Sequence, residues 1–131
     1  MSIYILFDIG GTKTRVARTD DRATFKTPII FETPQNFSEW LHKAQEAVAS
    51  ITEGEPITAV VAGFPGTLQE DKTTIKRAPH LKEWQGVTIK THLENAFNCH
   101  VTVENDTALV GLGEAIYGAG KGHSIVAYLT I

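Results

Sequence analysis

The chain is poor in cysteine, in basic runs and in long apolar stretches, and each shortage removes a class of protein. Cys99 stands alone among 131 residues, so no internal disulfide framework can form, and a reducing, cytoplasmic setting is expected. The five histidines (His42, His80, His92, His100 and His123) are scattered without the close spacing that a zinc site uses. Lysine and arginine number 12 against 15 acidic residues, a net charge of −3. That balance carries no electrostatic footprint for nucleic acid or a membrane surface. The apolar start MSIYILFDIGGT has no basic flank and no small-residue cleavage site. It also falls well short of a bilayer's width, so neither a signal peptide nor a transmembrane helix is expected. No internal repeat or low-complexity tract is present. With 42% hydrophobic and 21% charged residues, what remains is a globular chain long enough for one cored domain.

The pattern along the chain predicts an α/β fold. Ile3 to Asp8 reads as a central strand, Ile9 to Thr12 as a tight turn whose glycines can take positive φ, and Thr14 to Thr19 as the return strand. After a turn at Asp20–Arg22, Thr24 to Glu32 reads as a third strand, with Pro28 placing it at an edge. Asn36 caps a helix, with Glu39 as its capping-box partner. Phe37, Trp40, Leu41, Ala44, Val48 and Ile51 fall on one face of that helix. Ile57 to Gly63 is a buried strand, Thr67 to Arg77 a small hairpin and Ala78 to Gly86 a loop. Val87 to Asn98 holds a second helix, His100 to Glu104 a short strand, and Asn105 caps a third helix reaching about Tyr117. Gly118 to Gly122 links to HSIVAYLTI, residues 123–131, an apolar and β-branched run that reads as a buried strand. The order predicts an antiparallel three-strand meander followed by parallel βαβ units in one mixed sheet.

Three short motifs carry chemistry. In FDIGGTKTR (7–15), the backbone amides of Gly10, Gly11 and Thr12 can converge on an anion, with Lys13 adding charge. Asp8, at the end of the strand, suits a hydrated Mg²⁺, which takes only one or two protein carboxylates. The same residues also suit a plain hairpin. In VENDTALVGLGEA (103–115), Asp106 at a strand–helix junction suits a general base acting on a hydroxyl. It equally suits the first turn of a helix capped by Asn105. GFPG (63–66) makes a turn at the C-terminal end of a strand, where ligands of open α/β sheets lie, and RAPHLKEW (77–84) follows it. Trp84 reads as a packing residue.

Taken in this order, the three motifs resemble the amino-terminal lobe of ROK-family sugar kinases, on the actin-like ATPase (ribonuclease H-like) fold. That family includes glucokinases, fructokinases and N-acetylhexosamine kinases such as N-acetylmannosamine kinase. Asp8 to Arg15 is similar to its first phosphate motif, Glu104-Asn105-Asp106 to its catalytic segment, and Gly63 to Gly66 to its sugar-side turn. The resemblance implies Asp106 as catalytic base and Asp8 as a water-mediated Mg²⁺ contact. It also implies Gly10, Gly11, Thr12 and Lys13 against ATP phosphates, and Gly66, His80, Asn105 and Asp106 around the sugar. One departure stands out: the family's Pro-Asn-Leu is here Pro79-His80-Leu81, which leaves the sugar's identity open, because histidine offers one donor and one acceptor.

The resemblance further implies that residues 1–122 form the amino lobe and 123–131 the first strand of a missing carboxy-terminal lobe. That lobe would carry the second phosphate turn, the adenine pocket and any structural zinc. The expected partners are a sugar and ATP, with neither nucleic acid nor membrane. A homodimer is expected for the full-length protein, and self-association through 123–131 for the isolated chain, which should have little kinase activity. A ROK-type sugar-sensing regulator without kinase activity is the alternative.

Overall fold

The computed structural model describes residues 2–129. Strands β1 (Tyr4–Ile9), β2 (Lys13–Thr19) and β3 (Ile29–Glu32) come first. Helix α1 (Phe37–Thr52) leads to β4 (Ala59–Phe64), then to a hairpin of β5 (Thr67–Leu68) and β6 (Ile75–Arg77), and to a 3₁₀ turn at Lys82–Trp84. Helix α2 (Ile89–Phe97), β7 (His100–Asn105) and α3 (Asp106–Ile116) follow. The main sheet runs β3-β2-β1-β4-β7. The meander is antiparallel and β1, β4 and β7 are parallel, as the sequence pattern requires.

One face of the sheet is covered. Ile5, Phe7 and Ile9 alternate inward along β1 and meet Val60, Ala62 and Phe64 of β4 and Val101 and Val103 of β7. Helix α1 lays Phe37, Trp40, Ala44 and Val48 against this face, and α2 adds Ile89 and Leu93. Trp40 and Trp84, both fully buried with ring centroids 5.1 Å apart, each contribute about 3–5 kcal/mol relative to alanine. The polar atoms in this core are satisfied. The Trp40 indole N–H donates to Thr14 Oγ1 at 3.1 Å, and Thr14 and Thr33 hydroxyls pair at 2.8 Å. Arg18, 4% exposed, points into the same layer. Its guanidinium donates to Asp20, to Glu55 and to the Ile51 carbonyl, tying β2 to the end of α1.

Asn36 caps α1 as expected, its side chain accepting from the Glu39 amide at 3.0 Å. Two stretches differ from the sequence reading. The third strand spans only Ile29–Glu32, not Thr24 to Glu32. The Asp21 carboxylate captures the amides of Ala23 and Thr24, and Pro28 has no amide to offer, so the stretch holds to β2 only through the Lys26 amide on the Arg18 carbonyl at 3.0 Å before the ladder begins at Ile29. The run 123–131 forms no strand within its described part, residues 123–129; Thr130 and Ile131 lie outside the described residues. Instead the segment folds back over α3. A Cβ at Gly111 would meet Tyr128 Cβ at 3.1 Å, and one at Gly120 would meet Val126 at 2.7 Å. Composition made the run strand-like, but a strand also needs a ladder partner, and here Ile125 and Leu129 are 89% and 87% exposed.

Candidate functional site

Parallel pairing brings the three motifs to one edge. Asp8 of β1 is in register with Gly63 of β4, which is in register with Glu104 of β7. The turns after β1 and β4 and the start of α3 therefore open side by side at the C-terminal ends of the strands.

The turn after β1 is tight because its residues must touch their neighbours. Gly10 and Gly11 do not adopt the left-handed backbone that the sequence allowed; their need for glycine is steric. A Cβ at Gly10 would meet the Lys13 carbonyl at 2.8 Å, and one at Gly11 would meet His80 Cβ at 2.7 Å. The Gly10 amide donates to the Lys13 carbonyl at 2.9 Å, so it holds the turn and is not free for an anion. The amides of Gly11 and Thr12 meet no acceptor among the described residues. Thr12 and Lys13 are exposed. The Thr12 carbonyl accepts from the Thr33 amide at 2.9 Å, anchoring the turn to the strand end beside it.

Asp8 pairs across the strands with Arg15 at 3.2 Å, both side chains more than half exposed. Such a pair contributes at most about 1 kcal/mol and leaves the carboxylate accessible. Asp8, Arg15, Gly63 and Asp106 share a cavity of about 450 Å³ on the open face of the sheet, walled by Phe25 and Leu109. Leu109 reaches there because Gly63 has no side chain: a Cβ at Gly63 would meet Leu109 Cδ1 at 3.3 Å.

Asp106 is the first residue of α3. Its Oδ1 accepts from the Thr107 amide at 2.7 Å, which leaves Oδ2 without a partner among the described residues. Asn105 before it does two jobs. Its Oδ1 caps α3 by accepting from the Ala108 amide at 3.2 Å, and its Nδ2 donates to the Gly66 carbonyl at 2.6 Å. Gly66 is buried, and a Cβ there would overlap the Arg77 carbonyl and come within 2.6 Å of Phe64 Cε1. A second cavity, about 460 Å³, is lined by Gly66, Arg77, Pro79, His80, Asn105 and Asp106. Asp106 thus belongs to both cavities. The hairpin roof of this second cavity is tied down by Lys72, whose Nζ meets Glu104 at 3.2 Å.

His80 is held from behind. The Gln35 side chain donates to the His80 carbonyl at 3.2 Å, and the Gln35 carbonyl accepts from the Trp84 indole at 2.9 Å. Ala78 and Leu81 on either side are fully buried. The sequence reading singled out Asp8, Gly10, Gly11, Thr12, Lys13, Gly66, His80, Asn105 and Asp106, and the fold gathers all of them at this edge. It did not single out Arg77, Gln35 or Lys72 for roles at the site. Arg77 sat in a quoted motif, but nothing local says that its β6 position faces a cavity. Among the described residues no three His, Cys, Asp or Glu side chains stand close enough to enclose a metal ion. No helix there is long and apolar enough to cross a membrane.

A mixed sheet in this strand order, with a glycine turn after its first strand and a carboxylate at the end of its last, defines an α/β lobe of the actin-like ATPase fold. The chain belongs to the ROK family, whose profile matches residues 4–131. It is 30% identical over 131 residues to a glucokinase of Streptomyces coelicolor, covering all of this chain and 41% of that protein. It superposes with a TM-score of 0.81 and 30% identity on the crystal structure of a ROK family glucokinase from Streptomyces griseus in complex with glucose and AMPPNP, covering 93% of this chain and 39% of that one. It is also 31% identical over 75 residues to a xylose repressor of Caldicellulosiruptor bescii, covering 57% of this chain and 18% of that protein. The chain spans about two fifths of the length of the glucokinases it matches.

Proposed function

We propose that residues 1–122 are the amino-terminal lobe of an ATP-dependent sugar kinase, with 123–131 beginning a second lobe. The reaction would move the γ-phosphoryl group of ATP to a hydroxyl of a hexose or N-acylhexosamine. The observation that carries this reading is the position of Asp106, whose residue lines both the cavity with Asp8 and the cavity with Gly66, His80 and Asn105. A carboxylate between a sugar site and a phosphate site can take the hydroxyl proton as the oxygen attacks. The free amides of Gly11 and Thr12 and the exposed ammonium of Lys13 suit the phosphates. The accessible carboxylate of Asp8 suits Mg²⁺, which keeps most of its waters. When bound, Mg²⁺ supplies neutralisation of phosphate charge.

In this reading ATP lies between two lobes whose approach expels water, so the 131-residue chain alone turns over little or nothing. The kinase works in the cytoplasm, where Cys99 stays reduced. The test joins the chain to a carboxy-terminal lobe and follows ATP-dependent phosphorylation over a panel of hexoses and N-acylhexosamines, wild type against Asp106→Ala. Turnover of one sugar that falls by about 10²–10⁴-fold in the variant is the expected result. Retained sugar binding with no turnover of any sugar would refute the kinase. It would favour a sugar-sensing domain of a ROK-type regulator, the second reading that the resemblance to a xylose repressor supports.

A further inference from the structure

We propose that His80 couples the sugar cavity to the phosphate turn, so that a sugar held at one sets the position of the other. The inference rests on the sugar-site reading above. Its basis is a contact that neither motif contains by itself. Gly11 and His80 are far apart in sequence, yet the Gly11 backbone lies directly against the His80 side chain: a Cβ at Gly11 would stand 2.7 Å from His80 Cβ and 3.4 Å from its Cγ. His80 also lines the cavity with Gly66, Asn105 and Asp106. One side chain therefore touches both halves of the site.

The geometry leaves little room for the two halves to move independently. The backbone of His80 is fixed by the Gln35 bond to its carbonyl and by fully buried Ala78 and Leu81. Gln35 is in turn held by the Trp84 indole, and Trp84 is fully buried in the core. On the other side, the turn is anchored by the Gly10 amide on the Lys13 carbonyl and by Thr33 on the Thr12 carbonyl. Between these anchors the imidazole is the most movable part, and the Gly11–Thr12 stretch, whose amides meet no acceptor among the described residues, can give by small amounts. A hydroxyl that captures it would choose one rotamer, and that rotamer sets how closely Gly11 and Thr12 approach an anion. A contact this close transmits small shifts because there is no free space between His80 and Gly11 to absorb them. His80 is a positioning residue in this scheme. Its reach to the phosphates is through Gly11, and its imidazole replaces a side chain that would be shorter in the family's usual Asn.

The test is amide NMR of the 131-residue chain, titrated with the best-binding hexose or N-acylhexosamine, for wild type, His80→Ala and His80→Asn. In wild type the Gly11 and Thr12 amides should move with the same midpoint as the Asn105 side-chain amide. In His80→Ala, Asn105 and Gly66 should still move while Gly11 and Thr12 stay. His80→Asn keeps Cβ and Cγ and should restore part of the response. The reverse titration uses Mg²⁺ tripolyphosphate, and coupling must be reciprocal. Saturating tripolyphosphate should change the sugar Kd by about fivefold or more, sugar should change the tripolyphosphate Kd by the same factor, and both factors should fall toward one in His80→Ala. The coupling is overturned if Gly11 is still while Asn105 moves in wild type, or if Gly11 moves undiminished in His80→Ala. Absence of any response at Asn105 and Gly66 overturns the sugar site itself, and the coupling with it.

Discussion

Asn105 holds two structures together, and its removal separates their contributions. As the cap of α3 it accepts from the Ala108 amide, and as a clamp it donates to the buried Gly66 carbonyl at 2.6 Å. Losing an asparagine cap costs about 1 kcal/mol. Orphaning a buried carbonyl whose neutral hydrogen bond is worth about 1 kcal/mol costs at least that much again. Asn105→Ala should therefore lower stability by about 2 kcal/mol, and at this chain length each kcal/mol lowers Tm by about 3–5 °C. Asn105→Asp keeps an acceptor for the Ala108 amide and gains about 0.5 kcal/mol from a negative charge at the helix N-terminus. It also turns an oxygen toward the Gly66 carbonyl where a donor had been, at a cost of about 1–3 kcal/mol. The net loss in urea unfolding should be about 0.5–2.5 kcal/mol, close to the alanine value of about 2 kcal/mol although the cap is kept.

Both variants should release the β5–β6 hairpin, seen as faster hydrogen exchange at the Gly66 and Gln69 amides, which bond to Phe64 and Thr74 carbonyls. Wild-type exchange at those amides in both variants would refute the clamp. Wild-type stability of Asn105→Ala would refute the cap as well.

Thr14→Val should cost about 2 kcal/mol in chemical unfolding, because it leaves the buried Trp40 indole N–H and the Thr33 hydroxyl without their partner. The Asp20 carboxyl is held below its usual 3.8 chiefly by the hydrogen bond from Arg18, and Asp21 is lowered chiefly by the Thr24 backbone amide. Both are depressed in the folded state, so their contribution is complete above about pH 4 and is lost as pH falls through the folded values. Urea midpoints should drop on that acid limb, and Asp21→Asn should flatten it; an unchanged limb would count against the turn at 21–24. Finally, Ile125→Asp with Leu129→Asp, at residues 89% and 87% exposed, should shift the chain from self-associated to monomeric species in sedimentation velocity. A wild-type chain that is already monomeric at high concentration would refute that surface as sticky.

The elements of this lobe were legible because their signals are local. Alternation in β1, the Asn36 cap, the helical face of α1 and the turn at Pro65-Gly66 each depend on residues within a few positions of one another. Local patterns also marked the residues with the right chemistry: a carboxylate at a strand end, a second at a helix start, and glycines between them. Where the pattern misled, long-range pairing decided. Residues 24–28 keep only one bond to β2, from the Lys26 amide to the Arg18 carbonyl, and 123–129 form no strand, although both have strand-like composition.

Contacts between distant residues were settled only by the tertiary structure. The parallel register that aligns Asp8, Gly63 and Glu104 joins three segments, and only that alignment puts Asp106 in two cavities at once. The burial of Arg18 against Glu55 and the Ile51 carbonyl, the face of Arg77 toward the second cavity and the seating of His80 on Gly11 are of the same kind. The sequence determined which groups are present and which local shapes they favour, through propensity, capping and steric freedom. Which of those groups meet depends on burial of a shared core and on the register of strands remote in sequence, and no single stretch of the chain encodes either.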